Sequence, residues 1–340
     1  MISPSSAESF STTKKTVTER PVLSKKSDDK FETTLLLPVG ACCIAEGGLR
    51  TKGLFKRNDV DTPLMTVITV VYNGAAHLEK TILSVLNQTY DNVEFVVVDG
   101  GSTDGTLDII RKYDHAIDYW VSEKDAGIYD AMNKGIRLAA GEWINFMNSG
   151  DLFYENTTMD RVVPNLELGL AIVYGDVETV SDRYSANVKK ASFPVSVKNL
   201  VMKMPICHQS MFVRLRSFKH IGLFDTGYKI CADHDWLVKA LLHGNQSKYL
   251  PQCMALCNVD GVSSTSIFQR KRERLTIALE HFDDLKPKIY LMAFVSFAKA
   301  PFNFCLSKLN LLGVHRRFKP MKTIRATVNS KSASGGKGLS

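Results

Sequence analysis

Polar residues that could bind a ligand cluster at three points of the sequence, each directly after an apolar run. They are Tyr72-Asn73 after residues 66–71, Asp99 to Asp104 after residues 93–98, and Asn148 to Asp151 after residues 142–147. Carboxylates and amides of this kind can hydrogen-bond a polar ligand or hold a hard divalent cation. Each cluster alone is an ordinary turn, so the functional signal lies in the three together.

Two common nucleotide-binding motifs do not occur. A dinucleotide-binding domain needs Gly-x-Gly-x-x-Gly directly after its first strand, and that place holds Tyr72-Asn-Gly-Ala-Ala-His77. The chain also contains no Gly-x-x-x-x-Gly-Lys-Ser/Thr segment. The sequence therefore argues against hydride transfer and against P-loop ATPase chemistry.

Alternating strand and helix patterns position these clusters. β-Branched runs alternate with amphipathic stretches. The predicted elements are strand 66–71, helix 77–88, strand 93–98, helix 107–113, strand 117–121, helix 128–139 and strand 142–147, then strands at 171–175, 209–213 and 248–251 and a helix at 233–242. This order predicts an α/β fold with a Rossmann-like, doubly wound, mostly parallel sheet and helices on both faces. Such a sheet binds ligands beyond the carboxyl ends of its strands.

Composition and charge divide the chain into regions. Its 340 residues are 44% apolar and 23% charged, as in a globular enzyme-sized protein. We expect a disordered or loosely structured extension over 1–61, a folded domain over 62–268, a basic helical extension over 269–320 and a disordered tail over 321–340. The folded domain carries 18 basic and 23 acidic residues, a net charge of −5, whereas residues 269–340 carry 15 and 4, a net charge of +11.

Four motifs follow one another in a recognisable order. They are Thr69-Val-Val-Tyr-Asn73, Val97-Val-Asp-Gly-Gly-Ser-Thr-Asp-Gly-Thr106, Ser122-Glu-Lys-Asp-Ala-Gly-Ile-Tyr-Asp-Ala-Met-Asn-Lys-Gly135 and Asn148-Ser-Gly-Asp151. Together they resemble family 2 glycosyltransferases of the GT-A fold, close to bacterial exopolysaccharide enzymes of the colanic-acid type. The resemblance covers about residues 65–265. It implies inverting transfer of a sugar from a nucleotide diphosphate sugar to a saccharide or lipid-linked saccharide, in surface polysaccharide biosynthesis.

The resemblance also implies which residues bind the UDP- or GDP-linked donor. Asp99 matches a carboxylate that accepts a hydrogen bond from the base, and residues 125–133 match a segment that contacts ribose and sugar. The expected donor-binding residues are Tyr72, Asn73, Asp99, Asp125, Asn133 and Asn148.

A divalent cation, Mn²⁺ or Mg²⁺, is expected beside the donor phosphates, because the departing nucleoside diphosphate gains negative charge. Asp151 is its expected ligand. Family members often have Asp-x-Asp in this loop, and this chain has Ser149 in place of the first Asp. We therefore expect the cation to depend more on the pyrophosphate.

Inversion requires a general base near the acceptor hydroxyl. The segment Cys231-Ala-Asp-His-Asp-Trp-Leu237 matches the family's Glu-Asp pattern with Ala232 in place of the Glu, so Asp233 is the expected base. Helix capping would also select a carboxylate here, and it explains Asp235 better. His234 is expected to be exposed or structural, and His208, in a family signature, is a weaker candidate on the acceptor side.

The basic region suggests a partner. Residues 269–274 give a basic helix face, and residues 289–300 are apolar and aromatic but shorter than the ~20 residues of a membrane span. We expect this region to bind an anionic membrane surface, or alternatively to pack as a helix on the folded domain, and we expect no nucleic acid. Seven cysteines without a Cys-x-x-Cys pair indicate a reduced environment. The expected location is the cytoplasm, at the inner face of the cytoplasmic membrane.

Two other functions compete with this interpretation. A sugar nucleotidylyltransferase has a related sheet, but would carry a Gly-rich loop and cationic cluster after the first strand, which this chain lacks. A non-catalytic partner subunit would explain why Ser149 and Ala232 replace acidic residues. The presence of both Asp151 and Asp233 argues against it.

Overall fold

β-Branched and apolar runs form the centre of the sheet. The computed structural model describes residues 10–38, 43–59, 61–181, 184–189, 195, 200–201, 203–258 and 266–295. Within these, β2 (Met65–Val71) and β3 (Val93–Asp99) are buried along their whole length. Strands buried on both faces need apolar residues at consecutive positions, which is why these runs do not alternate with polar residues.

The remaining elements surround this pair. The other strands are β1 (Cys43–Gly47), β4 (Tyr119–Glu123), β5 (Trp143–Phe146), β6 (Leu152–Phe153), β7 (Leu170–Ser181), β8 (Tyr184–Lys189), β9 (Met211–Arg214) and β10 (Gln246–Asn258). The α-helices are α1 (Leu78–Leu86), α2 (Thr106–Lys112), α3 (Ile128–Leu138), α4 (Thr158–Val162), α5 (Leu215–Ile221), α6 (Ala232–Leu242) and α7 (Ile267–His281). Residues 286–295 are also helical.

Parallel pairing in the centre of the sheet confirms the predicted fold class. The described strands have the order β1-β4-β3-β2-β5-β9-β7-β10-β6, with β8 on β7. Neighbours in the β4-β3-β2-β5 group are parallel, as are β7 and β10, and antiparallel strands complete the sheet. Val71 lies beside Asp99, and Asp99 beside Ser122. The loops that follow these strands therefore emerge at one edge of the sheet.

Helices cover both faces of the sheet, because successive side chains of β3 point to opposite faces and all of them are buried. Val96 and Val98 belong to one buried apolar cluster with α3, α5 and α6, whereas Phe95 and Val97 belong to another with α1 and α4. The approach of α3 to β2 is close: a Cβ on Gly135 would lie 2.4 Å from the Ile68 side chain. Glycine at this position lets α3 pack directly against the strand.

The N-terminal prediction needs correction. Residues 10–38 and 43–59 pack on the domain, and their buried side chains include Phe10, Phe31, Leu35, Leu49 and Phe55. β1 extends the sheet by pairing antiparallel with β4. These apolar residues are single anchors in an irregular segment, so a search for helical or strand periodicity does not detect them.

Buried charges strengthen this N-terminal packing. The Arg50 guanidinium forms an ion pair with Glu94 of β3, and both side chains are 1% exposed. The same guanidinium donates hydrogen bonds to the carbonyls of Leu35 (2.9 Å) and Leu138 (2.8 Å). The N-terminal segment thus supplies the cation for a buried carboxylate that also accepts hydrogen bonds from the Thr66 hydroxyl and the Ala140 N–H.

The boundary predicted at residue 268 also needs correction. α7 packs on the same apolar cluster as α6, with Ile277 and Ala278 fully buried. The basic segment therefore begins as part of the domain. The predicted tail over 321–340 and the predicted apolar residues 296–300 lie outside the described residues. Within the described part of the chain, no helix is long and apolar enough to cross a membrane.

Candidate active site

The polar loops after β2 and β3 are tied together by hydrogen bonds. Asn73 has a left-handed backbone (φ 49°), and its side-chain oxygen accepts a hydrogen bond from the Thr103 N–H at 2.9 Å. In return, the Asn73 N–H donates to the Ser102 hydroxyl at 2.7 Å, and the Ala75 N–H donates to Asp104 at 3.0 Å. Sequence analysis named Asn73 but missed Ser102 and Asp104, although both lie within the quoted motif. Together these loops form a rigid rim.

Asp99 lies behind this rim and has no exposed surface. Its carboxylate accepts hydrogen bonds from the Ser122 hydroxyl at 2.6 Å, from the Ser102 N–H at 3.1 Å and from the Ser102 hydroxyl. The structure therefore shows Asp99 organising the loop. The predicted contact with a nucleotide base would need the carboxylate to be uncovered.

The surface of these loops next to Asp99 is formed by Tyr72, Gly100 and Asp125. Tyr72 is exposed, and a Cβ on Gly100 would lie 2.3 Å from an Asp125 carboxylate oxygen and 3.4 Å from the Tyr72 ring. Partial burial raises the pKa of Asp125. Glycine at position 100 therefore lets the Asp125 carboxylate pack directly on the backbone beside the Tyr72 ring. We call residues 72–75, 99–106 and 125 the Asp99 side.

Asn133 does not join this surface. Its side chain donates to the Phe224 carbonyl and accepts from the Phe224 N–H, both at 2.9 Å, and is buried. The predicted donor contact is replaced by a structural one, because both ends of the amide are used in holding the segment after α5.

The loop after β5 places Asp151 in a buried position. One carboxylate oxygen accepts from the Gln209 side chain at 2.8 Å, and the other accepts from the Asn258 N–H at 3.0 Å. Burial raises the pKa of Asp151, and the hydrogen bond from Gln209 opposes this shift. Gly150 adopts φ 100°, which turns the chain before Asp151. Sequence analysis missed Gln209, although it follows His208 directly.

Two oxygen atoms of the same loop are buried without a hydrogen-bond partner among the described residues. They are the side-chain oxygens of Asn148 and Ser149. Buried polar atoms are usually paired, so unpaired oxygens beside a carboxylate suggest a ligand that is bound during function. Ser149 also faces the Asp99 side, since its hydroxyl oxygen would lie 2.7 Å from a Cβ on Gly74.

These oxygens suit a hard cation. Asp151, Asn148 and Ser149 together offer one carboxylate, one amide and one hydroxyl oxygen, as Mg²⁺ or Mn²⁺ accepts when substrate phosphates complete its shell. Among the described residues, the one grouping of three or more close His, Cys, Asp or Glu side chains is elsewhere, at Asp235, Glu280 and His281. The loop after β5 therefore fits a cation only in partnership with a phosphate ligand.

Asp233 and His208 form a half-buried pair. The Asp233 carboxylate lies 3.4 Å from His208 Nδ1, and the side chains are 15% and 23% exposed. The other carboxylate oxygen accepts from the Tyr129 hydroxyl at 3.0 Å and from the His234 N–H at 2.9 Å. Tyr129 is a further site residue that sequence analysis missed, although it stands in the third motif.

Opposing effects set the protonation of this pair. Burial alone would raise the pKa of Asp233, but His208 and the Tyr129 hydroxyl lower it below its ordinary value. Burial would lower the pKa of His208, but Asp233, together with the charge of Asp151, raises it. Asp233 is therefore ionised at neutral pH.

His208 also joins Asp233 to the loop after β5. Its Nε2 lies 3.2 Å from the side-chain nitrogen of Asn148. With a proton on Nδ1 facing Asp233, Nε2 can accept from Asn148. We call residues 148–151, His208 and Asp233 the Asp233 side.

Asp235 and His234 do not belong to the Asp233 side. Asp235 is buried between Lys239 (2.6 Å) and His281 (2.7 Å), so an internal ion-pair network replaces the predicted capping role. His234 is buried, as its structural alternative predicted, with Nε2 2.6 Å from the Leu200 carbonyl.

The family assignment follows from comparison with known proteins. The profile described as "Glycosyl transferase family 2" matches residues 66–222. A PGL/p-HBAD biosynthesis glycosyltransferase of Mycobacterium bovis is 31% identical over 223 residues, which cover 64% of this chain and 85% of that protein. The chain belongs to glycosyl transferase family 2. It is an enzyme that transfers a sugar from a nucleotide sugar, as predicted.

Solved structures support the GT-A fold. Staphylococcus aureus TarS (residues 1–349) in complex with UDP-GlcNAc matches with a TM-score of 0.54 and 21% identity, covering 69% of this chain and 74% of that chain. A Pyrobaculum calidifontis mannosyltransferase in complex with GDP-Man and Mn²⁺ matches with a TM-score of 0.52 and 20% identity, covering 77% and 84%. At these identities the likeness establishes the fold alone.

Proposed function

We propose that this glycosyltransferase inverts the configuration at the reacting carbon of the transferred sugar, with Asp233 as the general base. The observation that carries the proposal is the Asp233–His208 pair, which keeps a carboxylate ionised beside the loop after β5. In an inverting reaction the acceptor hydroxyl attacks the sugar carbon from the face opposite the leaving nucleoside diphosphate. As the new bond forms, the hydroxyl proton passes to Asp233.

His208 supports this proton transfer. Its Nδ1–H donates to the carboxylate before the reaction. This hydrogen bond helps to lower the pKa of Asp233, so the carboxylate is ionised and able to take the proton of the acceptor hydroxyl. The Asn148 contact at Nε2 holds the ring orientation, so the base is linked to the loop beside the departing group.

The donor is assigned to the Asp99 side. We infer that the base or ribose of a UDP- or GDP-sugar binds against the exposed Tyr72 ring and the partly buried Asp125 carboxylate, which lie together over Gly100. Asn73 and Asp99 act indirectly by fixing the loops. The TarS and mannosyltransferase complexes, which hold UDP-GlcNAc and GDP-Man, support a nucleotide-sugar donor of either kind.

A divalent cation is proposed at the loop after β5. Asp151, Asn148 and Ser149 would hold it, and when bound it would neutralise charge on the diphosphate. The Mn²⁺ in the mannosyltransferase complex supports this assignment. The protein's own part is to supply oxygen ligands and to keep them oriented through Gln209 and the Asn258 N–H.

The acceptor is proposed to be a saccharide or lipid-linked saccharide of surface polysaccharide biosynthesis, met at the inner face of the cytoplasmic membrane. Tyr290, Leu291 and Phe294 of the helical residues 286–295 are exposed. Residues 296–340 contain nine Lys and Arg and no acidic residue. Apolar side chains next to such a charge suit an anionic lipid surface, where each cation contributes about 1 kcal/mol.

A donor panel tests the catalytic proposal. The full chain is incubated with UDP-glucose, UDP-GlcNAc, UDP-galactose and GDP-mannose, with Mn²⁺, Mg²⁺ or EDTA, and released UDP or GDP is measured. We expect one donor to be hydrolysed in a metal-dependent way and to raise the melting temperature. Absence of both effects with every donor would contradict the proposal.

Vesicle flotation tests the membrane proposal. The control is a full-length variant in which Arg316, Arg317, Lys319, Lys322 and Arg325 are replaced by Gln. We expect the natural chain to float with anionic vesicles at low salt, less at high salt, and the variant to float poorly. Equal flotation of both chains with anionic vesicles, unchanged by salt, would contradict it.

A further inference from the structure

A single acidic residue interrupts the basic segment in the first half of helix α7. The segment from Gln269 to Arg274 contains four cations and one carboxylate, Glu273. A solvated basic face would leave Glu273 exposed. In the structure its side chain is instead buried, at 9% exposure, and points towards the segment before α6.

Glu273 accepts hydrogen bonds from three consecutive backbone N–H groups. They belong to Lys229 (3.0 Å), Ile230 (2.9 Å) and Cys231 (2.9 Å), the residues directly before α6. Both carboxylate oxygens take part, and the Gln269 side chain donates a further bond at 3.0 Å. Cys231 is the N-cap residue of α6 and has no side-chain cap hydrogen bond, so Glu273 supplies an acceptor for its N–H from another helix.

The same backbone segment is tied to Asp233. The Tyr129 hydroxyl lies 2.7 Å from the Ile230 carbonyl oxygen and 3.0 Å from the Asp233 carboxylate. The Ile230 N–H is therefore held by Glu273, and the Ile230 carbonyl oxygen shares the single hydroxyl proton of Tyr129 with Asp233. A shift of this segment would move the first turn of α6, and Asp233 with it.

We propose that Glu273 is a positioning residue that holds Asp233 in the geometry for proton abstraction, an inference that rests on the proposed role of Asp233 as general base. Glu273 reaches Asp233 only through the backbone of residues 229–231 and Tyr129, and touches no reacting atom. A glutamine would keep its size but present an NH₂ group to N–H donors, so the three bonds could not all form.

The first test is Glu273→Gln, measured as kcat and donor KM with the panel donor of highest rate. We expect kcat to fall about 10- to 100-fold, since small misplacements of a catalytic group have effects of this size. Donor KM should stay within about twofold. The matched control is Glu280→Gln on the same helix, whose carboxylate bonds to the Tyr228 hydroxyl at 2.7 Å and should leave kcat unchanged.

A double-mutant cycle separates positioning from a general structural effect. If Glu273 acts through Asp233, adding Glu273→Gln to an Asp233→Asn chain should lower kcat by less than about twofold. An equal loss in both backgrounds would overturn the inference while leaving Asp233 as the base. An Asp233→Asn chain with full activity would instead overturn the proposed function itself.

Gln269→Ala covers the possibility that Glu273→Gln does not fold. This change removes the exposed Gln269 amide that donates to Glu273 but keeps the carboxylate. We expect a several-fold fall in kcat with unchanged donor KM and a melting temperature close to that of the natural chain. A folded Gln269→Ala chain with unchanged kcat would count against the inference.

Discussion

The two sides of the crevice differ in how their polar groups are satisfied. On the Asp99 side, the buried carboxylate of Asp99 and the exposed side chains of Asn73 and Asp104 all bond to neighbouring loops. On the Asp233 side, the buried oxygens of Asn148 and Ser149 have no partner within the described part of the chain. Asp233 and His208 there share a charge interaction across 3.4 Å.

This difference indicates a division of work. The Asp99 side is already organised, so its substitutions should change donor affinity more than the chemical step. The Asp233 side keeps free oxygens and a coupled acid–base pair, so its substitutions should change turnover. Interactions that strengthen only in the transition state raise kcat, whereas uniform binding lowers KM.

Asp151→Ala should give a very large loss, reducing metal-dependent turnover to background. It removes the carboxylate of the loop after β5 and leaves the Gln209 amide and the Asn258 N–H without their acceptor. Asp151→Asn preserves shape and removes the charge, so it should show the same loss with less destabilisation. Full turnover with unchanged Mn²⁺ dependence in Asp151→Asn would refute the metal assignment.

His208→Asn should lower kcat by about 10- to 100-fold, within the range of acid–base contributions. Removing His208 also removes the hydrogen bond and charge that lower the pKa of Asp233, so burial would then raise that pKa. Because the base must be ionised, the acid limb of the kcat profile should move to higher pH. A profile that keeps its acid limb would show that His208 does not control Asp233.

Asp99→Asn should weaken donor binding by about tenfold while changing kcat little, because the lost hydrogen bonds to Ser102 and Ser122 loosen the donor rim. Titration calorimetry with UDP or GDP measures the affinity. Asp108→Asn, on the exposed face of α2, is the matched control. A fall in kcat with unchanged nucleotide affinity would contradict the assignment of donor binding to the Asp99 side.

Arg50→Ala should have the smallest effect on turnover per folded molecule and a large effect on stability. It leaves the buried Glu94 carboxylate unpaired, which typically costs about 3–5 kcal/mol. Denaturant unfolding of this variant is compared with Arg57→Ala, whose exposed ion pair should contribute under about 1 kcal/mol. Equal stability of the two variants would show that the N-terminal segment contributes little.

Local sequence patterns predicted the centre of the fold. The strands β2, β3 and β5 are apolar runs, and the loops after them carry the polar motifs. Each motif is therefore adjacent in sequence to the strand that positions it. The parallel order and the shared edge of the sheet followed from this alternation. Asn148 and His208 contact each other as the crevice requires, although 60 residues separate them.

Long-range packing could not be predicted in the same way. Arg50 reaches Glu94 and Glu273 reaches the backbone of residues 229–231 across distances that no periodic pattern encodes. Asn133 illustrates the opposite error: it stands in a motif, yet its amide is used on Phe224. A motif identifies a segment, but only the fold decides which of its side chains face the crevice.

The most direct measurement of the central claim is kcat and nucleotide affinity of Asp233→Asn beside the natural chain. The account predicts that kcat falls by about 10²- to 10⁴-fold, the range for loss of a general base, while the Kd for UDP or GDP stays within about twofold. Asparagine keeps the size of the side chain and can still accept from Tyr129. An unchanged kcat, or a parallel loss of nucleotide affinity, would contradict Asp233 as the base.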